Sequence, residues 1–314
     1  MRVILPSINE DSNDGKALFI RRLRKEFQNI GVQFGVPADV KLHLIRMSNG
    51  GNQAKANVVR IDGVYHNTAQ DYIGKNKGIA SGFHRGNGAI YQADFSRRLC
   101  DKYIGPFQKK YIVCPNGADP TFYDNIPKAE SKYTHNFLAV SKWRPHKRLL
   151  DIIECYLLAG IEDSCLYVAG SPNTLPPPEL ARYRAEENIK FLGSVSQEQL
   201  GSYYKLCNAS IHLCWVDCCP NSVVEAICAG CPVISNNTGG TPEIVKASNG
   251  IVCDIDKPYD LEPCDLYHPP NFDRGIIAQA MNDVIDNKPS IDSTNVNIKT
   301  VALKYKNFFN SLRR

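Results

Sequence analysis

The chain has 314 residues, with 37 lysines and arginines against 32 acidic residues, a formal net charge of +5 and 43% hydrophobic residues. That length and ordinary apolar content suffice for two domains with cores of their own, and the weakly basic balance is too small to demand nucleic acid as a partner. No apolar run approaches the roughly 20 residues needed to span a bilayer, and the start, Met1 to Pro6, is too short in apolar residues for a secretion signal, so the expected location is the cytoplasm.

Strand and helix patterns alternate along the chain, the α/β signature. Residues 2–8 predict a strand, Gly15 opens a turn, and residues 16–30 predict a helix with Phe19, Leu23, Phe27 and Ile30 on one face. On the opposite face Arg21, Arg22, Arg24 and Lys25 form a basic cluster. Such a run is ordinarily a solvated face; the competing reading is peripheral contact with an anionic lipid surface. Residues 40–45 predict a second strand, and the glycines and amides between Arg46 and Lys55 mark a loop. A short strand at 60–63 leaves Asp62 at its end, and 69–79 reads as a helix. His84 and Arg85 lie in a glycine-rich turn, where a solvated surface competes with contact to acceptor or donor phosphate. The polar stretch 124–134 reads as a hinge. Pro176, Pro177 and Pro178 mark a surface loop, and from Phe272 the chain is helical to its end apart from a break at 287–295.

Twelve cysteines are spread among apolar residues, where a thiol acts as a small hydrophobe, and they are read as reduced. Cys228 and Cys231 have a spacing that also suits redox or metal chemistry, but no second pair accompanies them. Asp254 and Asp256 match a short metal-binding acid pair, with a solvated loop as the favoured reading. No metal site is expected.

The densest information runs from Asp217 to Glu243. The apolar run Ile211 to Trp215 reads as a strand, and Pro220, Asn221 and Ser222 supply a helix start ahead of Val223, Ala226 and Ile227. Backbone N–H groups at a helix start lack intrahelical partners and carry the positive end of the dipole, which suits a diphosphate. Glu225, one turn in, can accept from two neighbouring hydroxyls of a ribose, and Asp217 on the loop can do the same for a sugar. Gly239 and Gly240 would let the main chain pass close to a ligand.

This ordered set, an acid, seven residues, Glu225-Ala226, then Gly230-Cys231-Pro232-Val233 and Gly239-Gly240-Thr241-Pro242-Glu243, resembles the C-terminal domain of the retaining glycosyltransferases of family four. Phe137 to Lys147 looks like that family's strand followed by a basic residue and, five positions on, a lysine. Leu166 to Gly170 and Ile189 to Gly193 are similar to its next two strands, and Ala89 to Ser96 with Pro115 to Asp119 to the end of its first domain. The resemblance is strong from about Ala89 to Val252. Two positions depart from it: Asp217 stands where glutamate is usual, and Lys142 where arginine is usual, a point charge in place of a bidentate fork.

The resemblance implies a GT-B fold, two Rossmann-like domains with parallel sheets facing across a cleft. Residues 1–130 would form a short acceptor domain and 131–292 the donor domain, with 293–314 a helix returning to the first. It implies a retaining, metal-independent hexosyl transfer from a nucleoside-diphosphate sugar, a co-substrate rather than a cofactor, to a glycan, glycoconjugate or lipid-linked hydroxyl. Lys142 and Lys147 would neutralise the departing diphosphate, Asp217 would fix the sugar, and Asp62 and His84 are the candidates for a base. Gly15, Asn221, Ser222, Val223, Glu225, Gly239 and Gly240 would line the donor. A GT-B epimerase and a non-catalytic sugar-nucleotide-binding protein are the alternatives.

Overall fold

A computed structural model describes residues 1–10, 12, 14–47, 53–171 and 177–312. The glycine-rich stretch at 48–52 and Pro176 lie outside these residues. The chain divides into two units, one of residues 1–119, 260–264 and 295–314, the other of 120–259 and 265–294.

The first unit begins with β1 (Arg2–Ile4), cut short of the expected eighth residue at Leu5 and Pro6, since proline has no N–H for a ladder. Helix α1 (Gly15–Asn29) follows, capped by the Asp14 carboxylate, which accepts from the Lys16 and Ala17 amides. Gly15 is therefore the first residue of a helix, where a turn was expected. Next come β2 (Gln33–Phe34), β3 (Ala38–Leu44), β4 (Ala54–Ile61), α2 (Tyr72–Phe83), β5 (Gly88–Tyr91), α3 (Asp94–Ile104) and β6 (Lys110–Val113). The strands form one parallel sheet in the order β2-β1-β3-β4-β5-β6. Phe19, Leu23 and Phe27 of α1 pack against Val3, Val40 and Val58, and the same core takes Val301, Tyr305 and Phe309 of the C-terminal helix Ile298–Ser311. The basic cluster on α1 is partly engaged: Arg21 donates to the Glu10 and Ser12 carbonyls, and Arg24 pairs with Glu10, so these side chains secure the segment before the helix.

The second unit runs α4 (Thr121–Asp124), β7 (His135–Val140), a single 3-10 turn (Pro145–Lys147), α5 (Leu149–Ala159), β8 (Ser164–Ala169), α6 (Pro177–Arg184), β9 (Ile189–Gly193), α7 (Gln197–Leu206), β10 (Ala209–His212), α8 (Asn221–Cys228), β11 (Val233–Asn236), α9 (Thr241–Lys246), β12 (Ile251–Cys253) and α10 (Arg274–Asp286). Pro177 opens α6, where a surface loop was expected; a missing N–H costs nothing in a first turn. The sheet is again parallel, in the order β12-β11-β10-β7-β8-β9. Its core joins Phe137, Leu166 and Ile211 of the strands to Ile152 and Ile153 of α5 and Met281 of α10. Chain order moves outward from β7 in one direction through β8 and β9, and in the other through β10, β11 and β12. The loops after β7 and β10 therefore leave the sheet side by side at the switch point, where open α/β sheets hold their ligands.

Among the described residues no helix is long and apolar enough to cross a membrane. None of the twelve cysteines is in a disulfide, and ten are buried.

Candidate functional site

The switch point brings together two loops that the sequence separates by about seventy residues. The 3-10 turn after β7 ends on Lys147, and the loop after β10 carries Asp217; the Lys147 ammonium and the Asp217 carboxylate form an ion pair and hydrogen bond. A main-chain bond from the Trp215 amide to the His146 carbonyl, 2.8 Å, ties the two loops beside the pair. Both loops also hold a non-glycine residue in left-handed conformation next to it: Arg148 at φ 54° and Val216 at φ 62°. A β-branched residue at positive φ is strained, and such strain persists only where the surroundings impose it, commonly at functional sites.

Gly239 packs against the loop that carries Asp217. At φ 82° it lies against the main chain of Asp217, and a Cβ there would sit 2.5 Å from the Asp217 carbonyl oxygen and 2.8 Å from its amide nitrogen. The Gly240 amide donates to the same carbonyl at 2.7 Å. The paired glycines thus let the loop after β11 grip the loop after β10, which fixes the backbone that presents the Asp217 carboxylate.

Two buried groups complete the setting. His212, the last residue of β10, has its Nε2 4.0 Å from Asp217 Oδ2, and Cys214 stands two residues on. Burial alone would raise the Asp217 carboxyl, but the Lys147 charge outweighs it and brings the group down to about 2. Burial likewise works against the Lys147 ammonium, and the Asp217 charge overrides it, holding the amine above its ordinary value. His212 is driven down to about 3 by burial first and Lys147 second, so the imidazole is neutral. Burial pushes the Cys214 thiol up to about 12. His212, Cys214 and Asp217 each offer a ligand-type atom within 4.8 Å of the others, the one such group among the described residues. The Lys147 ammonium already lies against the carboxylate and the thiol, a fixed positive charge where a cation would otherwise be sought.

The neutral His212 has a consequence for stability. Its folded pKa lies below the value of 6.5 for a free imidazole, so as pH falls from 6.5 toward about 3 the unfolded chain takes up a proton that the folded chain refuses. Stability from this group is complete above pH 6.5 and is lost on acidification, at up to about 1.4 kcal/mol per pH unit. Asp217, also depressed, acts in the same direction at lower pH. Urea unfolding compared at pH 7 and pH 5 is expected to show a loss that His212→Gln reduces by about 2 kcal/mol. An equal loss in both proteins would rule out a neutral buried His212.

The remaining candidates are placed as follows. Lys142 is exposed in the segment after β7. Asn221 and Ser222 are half-buried in the first turn of α8, and the Val223 amide donates to the Pro220 carbonyl at 3.2 Å. Glu225 is buried one turn into α8. In the first unit, Asp62 at the end of β4 is engaged by Arg60, by Gln92 Nε2 at 3.2 Å and by Lys16 at 3.7 Å. Arg60 is itself buried, bonded to Asn116 and stacked 4.4 Å over the Phe19 ring. His84 caps the end of α2, its Nε2 2.6 Å from the Ile104 carbonyl and its ring against Phe83 and Phe107. Since His84 precedes β5 and Asp62 follows β4, two neighbouring parallel strands, the two stand at opposite strand ends of the sheet and do not form one site.

The acid pair read as a solvated loop divides in two. Asp254 is exposed and bonded to Asn237, whereas Asp256 is buried in a bidentate pair with Arg148. Cys231, buried, has its Sγ 4.0 Å from the Cys207 carbonyl.

The profile of the family described as Glycosyl transferases group 1 matches residues 125–262. No curated protein sequence matches the chain. Among solved structures, the chain is similar to AviGT4, a glycosyltransferase involved in avilamycin A biosynthesis, at 15% identity over 99% of this chain and 98% of that one, with a TM-score of 0.63. It is similar to the Thermosynechococcus elongatus sucrose-phosphate synthase at 11% identity, 100% and 95% coverage and a TM-score of 0.61. It is also similar to Anabaena Alr3699/HepE, solved in complex with UDP and glucose, at 14% identity, 100% and 97% coverage and a TM-score of 0.62. Two parallel six-stranded sheets with these neighbours make the fold GT-B.

Proposed function

We propose that this protein is a retaining glycosyltransferase of family four, moving a hexosyl group from a nucleoside-diphosphate sugar to a hydroxyl acceptor without a metal ion. The observation that carries the reading is the Lys147–Asp217 pair at the switch point of the second sheet, inside the span matched by the Glycosyl transferases group 1 profile. Anabaena Alr3699/HepE, a structural neighbour, was solved with UDP and glucose, and a uridine donor is the first to test.

An ammonium has three donors, and Asp217 occupies one of them. The Cys214 sulfur takes a second, and the third is directed to the diphosphate oxygens, where charge grows as the bond from phosphate oxygen to anomeric carbon breaks. Asp217 uses Oδ2 for the lysine, which leaves Oδ1 to accept from a donor-sugar hydroxyl. Asn221 and Ser222, in the first turn of α8, place the positive end of the helix dipole toward the same phosphates, and Glu225 would accept from the ribose. With retention, the acceptor oxygen bonds the anomeric carbon on the face the phosphate leaves. The acceptor proton passes to the departing phosphate, so no separate base is needed. The acceptor class is a glycan, a glycoconjugate or a lipid-linked hydroxyl.

Thermal unfolding in the presence of UDP, GDP, ADP and their sugar conjugates tests the reading. A ligand at a hundred times its Kd stabilises the native state by about 2.7 kcal/mol, a readily measured rise in Tm. The expected result is a rise with one base only, accompanied by slow release of that nucleotide from its sugar conjugate. No shift across the whole panel would sink it.

A further inference from the structure

Behind the Lys147–Asp217 pair lies a second ion pair that the proposed chemistry does not use. Arg148 Nη1 and Nη2 donate to the two Asp256 carboxylate oxygens at 2.9 and 2.7 Å, with both side chains at most 1% exposed. Arg148 Nη2 also donates to the Pro270 carbonyl at 2.8 Å, and the guanidinium lies 5.0 Å from the centre of the Phe272 ring. A charge pair this deep is seldom kept for stability alone, since an apolar pair of similar volume is commonly as stable or more so.

Its connections run to both members of the outer pair. Arg148 follows Lys147 directly, and its left-handed φ of 54° turns the chain from the 3-10 turn into α5. Holding the guanidinium fixes that turn, and with it the direction in which Lys147 leaves the backbone. On the other side, Asp256 accepts from Asn236 Nδ2 at 2.9 Å and from Thr238 Oγ1 at 3.4 Å, and Asn236 Nδ2 also donates to Thr238 Oγ1 at 2.7 Å. Asn237 and the Asp256 main chain exchange two further bonds, 2.8 and 3.0 Å. These contacts hold the start of the loop whose Gly239 and Gly240 grip the Asp217 backbone.

We infer that Arg148 and Asp256 are positioning residues: a buried ionic hub that sets the spacing of Lys147 and Asp217 by anchoring the loop behind each of them. The inference rests on the proposed donor site for its importance to catalysis, while its structural content, the dependence of the outer pair on the inner one, stands apart from any ligand. The groups facing Asp217 are Lys147, His212, His146 and Cys214, and none of them is altered by changes at the hub.

Two variants test it. Arg148→Met with Asp256→Leu replaces the hub by apolar side chains of similar size, and Thr238→Val removes one arm with almost no change of shape. NMR of carboxyl-labelled aspartate, with Asp217→Asn giving the assignment, follows the Asp217 titration in the ligand-free protein. Calorimetry with UDP follows the donor site. The expected result is an Asp217 midpoint moved upward by about one pH unit or more in the double variant, with a smaller shift in Thr238→Val. The UDP Kd should rise about tenfold in the double variant. A folded double variant with an unmoved Asp217 overturns the inference; if the double variant does not fold, an unmoved Asp217 in Thr238→Val overturns it. Failure of the unaltered protein to bind any nucleoside diphosphate would refute the proposed function and leave the titration arm to decide this inference by itself.

Discussion

Lys147→Ala is expected to lower turnover by about a hundredfold or more, the scale of losing one charge contact to a transition state. The ammonium is only partly exposed and paired with Asp217, so its removal changes two things at once. It takes a positive charge from the place where, in the proposed mechanism, the departing diphosphate becomes more negative, and it leaves the Asp217 carboxylate beside a neutral His212 4.0 Å away. Lys147→Met separates the two effects, because methionine fills the same slot without charge. If charge decides, the methionine and alanine variants lose turnover equally while the methionine variant keeps more of the stability. Nucleotide release from the donor measures the first quantity and urea unfolding the second. Turnover at the level of the unaltered protein in both variants would remove Lys147 from the mechanism.

The reach of the sequence follows the distance over which each feature is encoded. The stretch from Asp217 to Glu243 was legible because its parts are local. Pro220 begins a helix, the glycines free a backbone, and α8 and β11 fall between them with little room for other arrangements. Asp62 at a strand end was legible too, but β4 begins at Ala54, well before the short strand expected at 60–63, because polar Lys55, Asn57 and Arg60 interrupt its apolar pattern. Those polar groups are tolerated inside the sheet by partners far along the chain: the Asn57 amide donates to Asn87 at 2.8 Å, and Arg60 bonds Asn116. The separation of His84 from Asp62 could have been read from connectivity alone, since one precedes a strand and the other follows one. The hub of Arg148 and Asp256 could not. The two lie 108 positions apart, and nothing near either marks it as buried; an arginine beside a candidate lysine and an acid in a polar loop both read as surface. His212 was hidden differently, as one polar residue in an apolar run, where its neutrality depends on burial and on a lysine in another loop.

Gly170→Ala is expected to have the largest effect on stability, about 3 to 5 kcal/mol, at the upper end of what a single substitution does. Gly170 follows the last residue of β8 at φ 99°, and its amide donates to the Gly193 carbonyl at 2.7 Å. A Cβ there would overlap the Ser141 carbonyl oxygen outright and sit 2.9 Å from its carbon and 3.4 Å from Trp143 Nε1. No rotamer relieves this, because the obstacle is main chain. The segment after β7 must move away, which breaks the bonds that the Ser141 amide and the Trp143 indole make to the Ala169 carbonyl, 3.3 and 2.9 Å. Each lost bond costs about 1 kcal/mol and the strained backbone about 1 to 3. That segment leads directly to Lys142 and the turn bearing Lys147, so activity should fall with stability. Gly193→Ala is the control, since Gly193 also has positive φ, 64°, but nothing lies within 4 Å of its added Cβ. It should show the backbone strain of about 1 kcal/mol without the collision. Thermal unfolding of the two variants therefore separates strain from overlap: equal drops in Tm would mean that the closeness of Gly170 to Ser141 has no energetic weight.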